Sequence, residues 1–264
     1  MRQATLVSLY GKKPDNLLAL IKESQAIISE EIGENFDAYD IDQIHATIIG
    51  LERVENELNQ YYNRNFWRLR QHRVIMNLQG FLNFLRLCGH LPLKIQIAGF
   101  RNKLYPFKSR GENPYKRSFT IQGKNVVIMG WPVHKKIQRK GYLSTNVNLP
   151  ESQLYPKTLD HLRRAAQDFN ILHAYHREPT TVDNDFYFRI GMLRDPATLP
   201  IDLVNELSHR VREYLSQRLP VVVEIQYSDL CVAVYKDEKL PKGTMCYSLG
   251  DVQMTEEMLR RCCQ

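Results

Sequence analysis

The chain writes one order of elements twice, and that repeat limits its fold more than any other feature. In the first half, ATLVSLY at residues 4–10 alternates as a first strand does. Leu17, Leu18, Leu20, Ile21, Ile27 and Ile28 recur at helical spacing over 14–32, with Asp15 placed as a cap beside Pro14 and Gly33 as a stop. An extended piece near 36–41 leads to IHATIIGL at 44–51, a strongly β-branched strand. Residues 54–87 read as mostly helical, broken near Asn63 and Gly80. LPLKIQIAGF at 91–100 alternates with Leu93, Ile95 and Ile97 on one face, and SFTIQGKNVVIMGWP at 118–132 reads as two strands turning at Gln122-Gly123-Lys124.

The second half repeats the order. A helix is expected over about 153–169, then strands at ILHAYH (171–176) and FYFRIGML (186–193). Pro200 opens a helix to about 217 with Leu203, Leu207, Val211 and Leu215 on one face; VVVEIQYS (221–228) and LCVAVYK (230–236) read as a hairpin. Each half is thus helix, strand, strand, helix, strand, strand, and no short fixed period suggests a solenoid. The expectation is an α+β fold, duplicated and bilobal, with antiparallel sheets facing a central cleft and helices outside. The whole of 1–264 would be one such domain: lobe 1 over about 1–133, a polar connection at 134–152, lobe 2 over about 153–250 and a tail at 251–264.

Charge and cysteine content narrow the setting. No run approaches the length a spanning helix needs, so no membrane partner is expected, and the opening residues read as a strand instead of a leader. Cys88, Cys231, Cys246, Cys262 and Cys263 are odd in number and lack C-x-x-C spacing, which suits a reduced, cytoplasmic protein better than a disulfide or metal framework. A net charge of +7 favours a phosphate-rich partner. Arg101, Lys103, Lys108, Arg110, Lys116, Arg117 and Lys124 share a stretch with Tyr105, Phe107, Tyr115 and Phe119, a mixture that can hold phosphates and stack bases.

Chemistry centres on His45-Ala46-Thr47. Period two sets His45, Thr47 and Ile49 on one strand face, with Ala46, Ile48 and Gly50 opposite. A hydroxyl two residues from an imidazole can donate to a phosphate oxygen while the ring, whose ordinary pKa is near neutrality, moves a proton. Nucleotide-loop and G-x-S-x-G motifs are missing from the sequence. Asp183 and Asp185, flanking Asn184, read as turn residues, and Trp131-Pro132 as core or a lobe contact.

In IHATIIGL, and in the doubled element order, the chain resembles the two-histidine (2H) phosphoesterases, which carry one His-x-Thr/Ser motif on a strand of each lobe. The resemblance implies facing motifs, one histidine as base and the other as acid, and hydrolysis of 2′,3′-cyclic phosphates or 2′–5′ linkages in RNA or nucleotides with no metal or cofactor. Superposing the halves lays IHATIIGL on FYFRIGML, so that Tyr187 corresponds to His45 and Arg189 to Thr47. Arg189 still suits a phosphate, offering bidentate donors and a permanent charge. Tyr187 can donate a hydrogen bond, but a phenol of pKa near 10 is a poor acid–base partner at neutral pH. His173 and His176, on the preceding strand, are the alternative source of a second imidazole, with His173, Tyr175 and Arg177 on one face; Tyr247 is a further candidate if the tail folds toward the cleft. Three functional readings stand: a metal-independent phosphodiesterase; a catalytically degenerate relative that binds nucleotide, RNA or a partner protein as sensor or scaffold; or a purely structural interaction protein with no phosphate affinity.

Overall fold

A computed structural model describes residues 2–55, 60–134, 136–137, 143–144, 150, 153–176, 178, 180–251, 254–255, 257–258 and 261. Most of the expected 134–152 connection, together with Arg177, Cys262 and Cys263, lies outside the described residues. The described strands are β1 (Gln3–Ser8), β2 (Phe36–Ala38), β3 (Ala46–Gly50), β4 (Arg53–Glu55), β5 (Tyr61–Asn63), β6 (Leu93–Ile97), β7 (Phe119–Gln122), β8 (Asn125–Pro132), β9 (Lys136–Ile137), β10 (Leu143–Ser144), β11 (Phe186–Leu193), β12 (Val221–Ile225), β13 (Leu230–Tyr235) and β14 (Met245–Ser248). The described α-helices are α1 (Asp15–Ile32), α2 (Arg64–Arg70), α3 (Leu78–Leu87), α4 (Pro114–Arg117), α5 (Thr158–Ala165) and α6 (Ile201–Gln217). None is long and apolar enough to cross a membrane.

The main sheet runs β12-β6-β8-β11-β3-β1-β13-β14, with β2 beside β11 and β7 beside β8. All its pairs are antiparallel, so the α+β class holds. One apolar core joins this sheet to α1, α3 and α6 through Leu17, Ile21, Phe81, Leu85, Leu207, Val211 and Leu215. These are the helical-period positions, and their fully buried side chains each contribute about 1.5–3 kcal/mol of transfer free energy.

Pairing departs from contiguous halves. β6 and β8, from the front of the chain, lie beside β11 and β12, whereas β13 and β14, from its back, extend β1 and β3. The expected hairpin at 221–236 is therefore corrected. β12 pairs with β6 and β13 with β1, near opposite ends of the sheet, joined through a single 3₁₀ turn at Tyr227–Asp229. So short a link requires the sheet to curl until its ends approach. Local alternation cannot distinguish this arrangement from a hairpin, because each strand is apolar on the same schedule either way.

Two further expectations are revised. The segment 54–87 holds strands β4 and β5 before α2 and α3. The segment 171–176 is no strand. Asn170 takes a left-handed conformation, the Leu172 N–H donates to Asn63 Oδ1, and the His176 N–H turns back to the His173 carbonyl. With its backbone groups met in this way the segment needs no ladder partner.

Candidate functional site

β3 and β11 meet at the middle of the sheet, with Phe188 opposite Ala46. Both of these face the apolar core and are fully buried. Continuing the antiparallel register sets Arg189 across from His45 and Tyr187 across from Thr47, on the other face. All four are partly buried. Gly191 lets β2 close on β11 just beyond, because a Cβ there would stand 2.3 Å from the Phe36 ring and 2.8 Å from the Asp37 carbonyl.

Thr47, Tyr187 and Arg189 line one cleft of about 230 Å³, together with His173, Tyr175, Arg110 and Asn125. His45 stands beyond the lining, at the end of the same row. Its Nδ1 lies 2.7 Å from the Gln43 carbonyl oxygen. An oxygen acceptor there fixes the proton on Nδ1 and leaves Nε2 as a lone-pair base. Burial, and then the charges of Arg189 and Lys13, push its pKa down to about 4 against the upward pull of Gln43. The ring is therefore neutral at pH 7. Tyr10 packs beside it, with ring centroids 6.3 Å apart.

Lys13 went unread in the sequence. It is 5% exposed in the turn between β1 and α1, donates to the Gly11 carbonyl at 2.8 Å, and is lowered to about 8 by burial, which Asp42 and Asp40 partly offset. Nothing in GKKPD separates this buried lysine from its neighbour Lys12. Burial raises the Tyr187 phenol above 10 despite the charge of Arg189, so it stays protonated at neutral pH. Arg189 Nε is buried and has no hydrogen-bond partner among the described residues.

Behind the cleft lies a polar network the sequence did not disclose. Arg163 of α5 is 1% exposed and donates to the carbonyls of Thr47 (3.0 Å), Ile48 (2.8 Å), Asp183 and Asp185 (both 3.1 Å), and to Asp183 Oδ2 (3.1 Å). It thereby ties β3 to the approach to β11. Asp183 also accepts from His173 Nε2 at 2.8 Å. Burial would raise its carboxyl, but Arg163 and the His173 N–H hold it well below the usual range. Asp185 accepts from Trp131 Nε1 at 2.8 Å, Ser109 Oγ at 2.7 Å and Arg117 Nη2 at 3.3 Å. Neither aspartate is a simple turn residue; the D-N-D pattern concealed two buried, hydrogen-bonded carboxyl groups.

The other candidates are placed as follows. His173 lines the cleft. His176 does not: it is fully buried behind His173, with Nε2 2.8 Å from Asp160 Oδ1. Since 173–176 is a turn, the strand-face grouping with Tyr175 no longer applies. Tyr247 is not brought to the cleft; it sits on β14 at the sheet edge and packs on the helix-side core. In the basic–aromatic stretch, Tyr105 and Phe107 pack with Phe100, Trp131 and Tyr155, and Arg110 alone reaches the cleft, its guanidinium 4.3 Å from the Tyr175 ring centroid. Cys88, Cys231 and Cys246 are free thiols.

Comparison with known proteins adds little. No family model and no curated protein matches the sequence. Among solved structures, TT0787 of Thermus thermophilus aligns over 94% of this chain and 95% of its own, at 12% identity and a TM-score of 0.38.

Proposed function

We propose that the protein is a 2H-like phosphoesterase acting, without metal, on a nucleotide or RNA phosphodiester such as a 2′,3′-cyclic phosphate. The observation that supports this reading best is the register at Ala46 and Phe188, which brings the one intact His-x-Thr motif beside Arg189 on a common face. In a duplicated 2H-like arrangement the two motif strands would meet about a local dyad, and the pairing of IHATIIGL with FYFRIGML is what such a dyad requires.

His45 Nε2 takes the proton from an attacking water, whose oxygen bonds to phosphorus as the P–O bond to the leaving ribose oxygen breaks. The Thr47 hydroxyl donates to a non-bridging phosphate oxygen, and Arg189 neutralises the charge that grows there. The Tyr187 O–H donates to the leaving oxygen, which takes its final proton from solvent.

One observation favours the second reading, a degenerate binder. His45 is neutral near pH 7 and Tyr187 is a weaker acid than free phenol, so the pair holds a base but no strong acid. Turnover and affinity separate the readings when a 2′,3′-cyclic nucleotide and short RNAs are offered to the wild type and to His45→Ala. Turnover that disappears in the variant supports the esterase. Binding without wild-type turnover supports the binder, and neither binding nor turnover refutes both.

A further inference from the structure

The roles above leave the buried imidazole of His173 unused. His173 Nε2 lies 2.8 Å from Asp183 Oδ2, and Arg163 at 3.1 Å keeps that carboxylate charged. An ionised carboxylate only accepts, so the ring's proton is on Nε2 and its Nδ1 is a bare acceptor. That Nδ1 is buried and has no hydrogen-bond partner among the described residues. An orphaned buried acceptor is costly, and a ligand donor would relieve it. The ring lines the same cleft as Thr47, Tyr187 and Arg189.

Two facts narrow the ligand. Burial and the charge of Arg163 hold the imidazole near pKa 4, so at neutral pH Nδ1 accepts and does not donate; Arg110, Arg163 and Arg189 line this cleft together with Glu52, Asp183 and Asp185. The cleft, at about 230 Å³, is also smaller than the roughly 300–1,000 Å³ of pockets that enclose a whole drug-sized ligand. It has room for a phosphate and the sugar it is attached to, leaving a base outside by Tyr175, which is 45% exposed.

Building on the phosphate reading of Thr47 and Arg189, we infer that the cleft holds the ribose phosphate left when the cyclic ester opens, and that His173 Nδ1 accepts a hydrogen bond from the ribose hydroxyl so freed beside the phosphate. His173 is then a specificity-determining residue, held by Asp183, that separates ribo- from deoxyribo-ligands. It transfers no proton.

The test is calorimetric binding of uridine 3′-monophosphate and its 2′-deoxy counterpart to the wild type and to His173→Gln. Glutamine keeps an N–H for Asp183 and lacks the Nδ1 acceptor. The wild type should bind the deoxy ligand about tenfold more weakly. The variant should bind both as weakly as the wild type binds the deoxy ligand. Equal wild-type affinities, or a preference for ribose that persists in the variant, would overturn the assignment while leaving the phosphate reading intact. Binding of neither ligand would overturn both. If the variant does not fold, the wild-type ratio decides together with the His173 Nδ1 ¹⁵N shift, which should move with the ribo ligand and stay still with the deoxy one.

Discussion

The ends of β3 and β11 occupy equivalent places on either side of one residue pair, yet they carry different chemistry. β3 presents an imidazole that burial keeps neutral and a hydroxyl. β11 presents a guanidinium whose charge is permanent and a phenol that stays protonated. On the proposed function a phosphate would sit beside this pair, and the side chains would decide which strand moves protons and which holds charge. On this account β3 governs turnover and β11 governs affinity.

His45→Ala should break the comparison most sharply. Turnover of a 2′,3′-cyclic nucleotide should fall by roughly 10²–10⁴, the usual worth of a general base, while affinity stays within a few-fold. Equal losses in both quantities would mean that the strands do not divide the work. Arg163→Met tests what holds the strands in register. It leaves Asp183 buried without its countercharge, so urea unfolding should show a loss of about 3–5 kcal/mol.

Stability against pH follows from the two depressed histidines. His45 and His173 titrate near 4 when folded and near 6.5 when unfolded, so the unfolded chain binds more protons between those values. Their contribution is complete above about pH 6.5 and is lost as pH falls toward 4. Chemical unfolding at pH 5.5 should show a loss of about 2 kcal/mol relative to pH 7. A stability profile that is flat from 7 to 5 would place both rings in water. The smallest change expected is in Arg189→Ala, whose affinity for the cyclic nucleotide should fall about tenfold or somewhat more while the rate at saturation changes less.

Much of the fold was legible because periodicity records burial. FYFRIGML became β11 over Phe186–Leu193, Pro200 opened α6, and the turn at Gly123 joined β7 to β8. The alternation of His45 and Thr47 against Ala46 and Ile48 also appears in the burial of β3, but it stops there: a register shift against β1 leaves Ile49, expected on the His45 face, fully buried in the core beside Ile48. The path of the sheet was not legible. Nothing in VVVEI or LCVAVY says which edge each strand will join, since partner choice is a long-range property of the curled sheet. For the candidate site, the motif pointed to His45 and Thr47, and element order pointed to Tyr187 and Arg189. The burial of Lys13, Arg163 and Asp183 escaped notice because charged residues in a turn, a helix and a loop look solvated until tertiary packing buries them.

The central claim, that His45 and Arg189 serve one phosphate, is tested most directly by a double-mutant cycle on kcat/KM for the cyclic nucleotide in the wild type, His45→Ala, Arg189→Ala and the double variant. If both residues address the same phosphate, their effects should be coupled by about 0.5 kcal/mol or more. Strictly additive losses, or a kcat/KM that neither substitution changes, would contradict it.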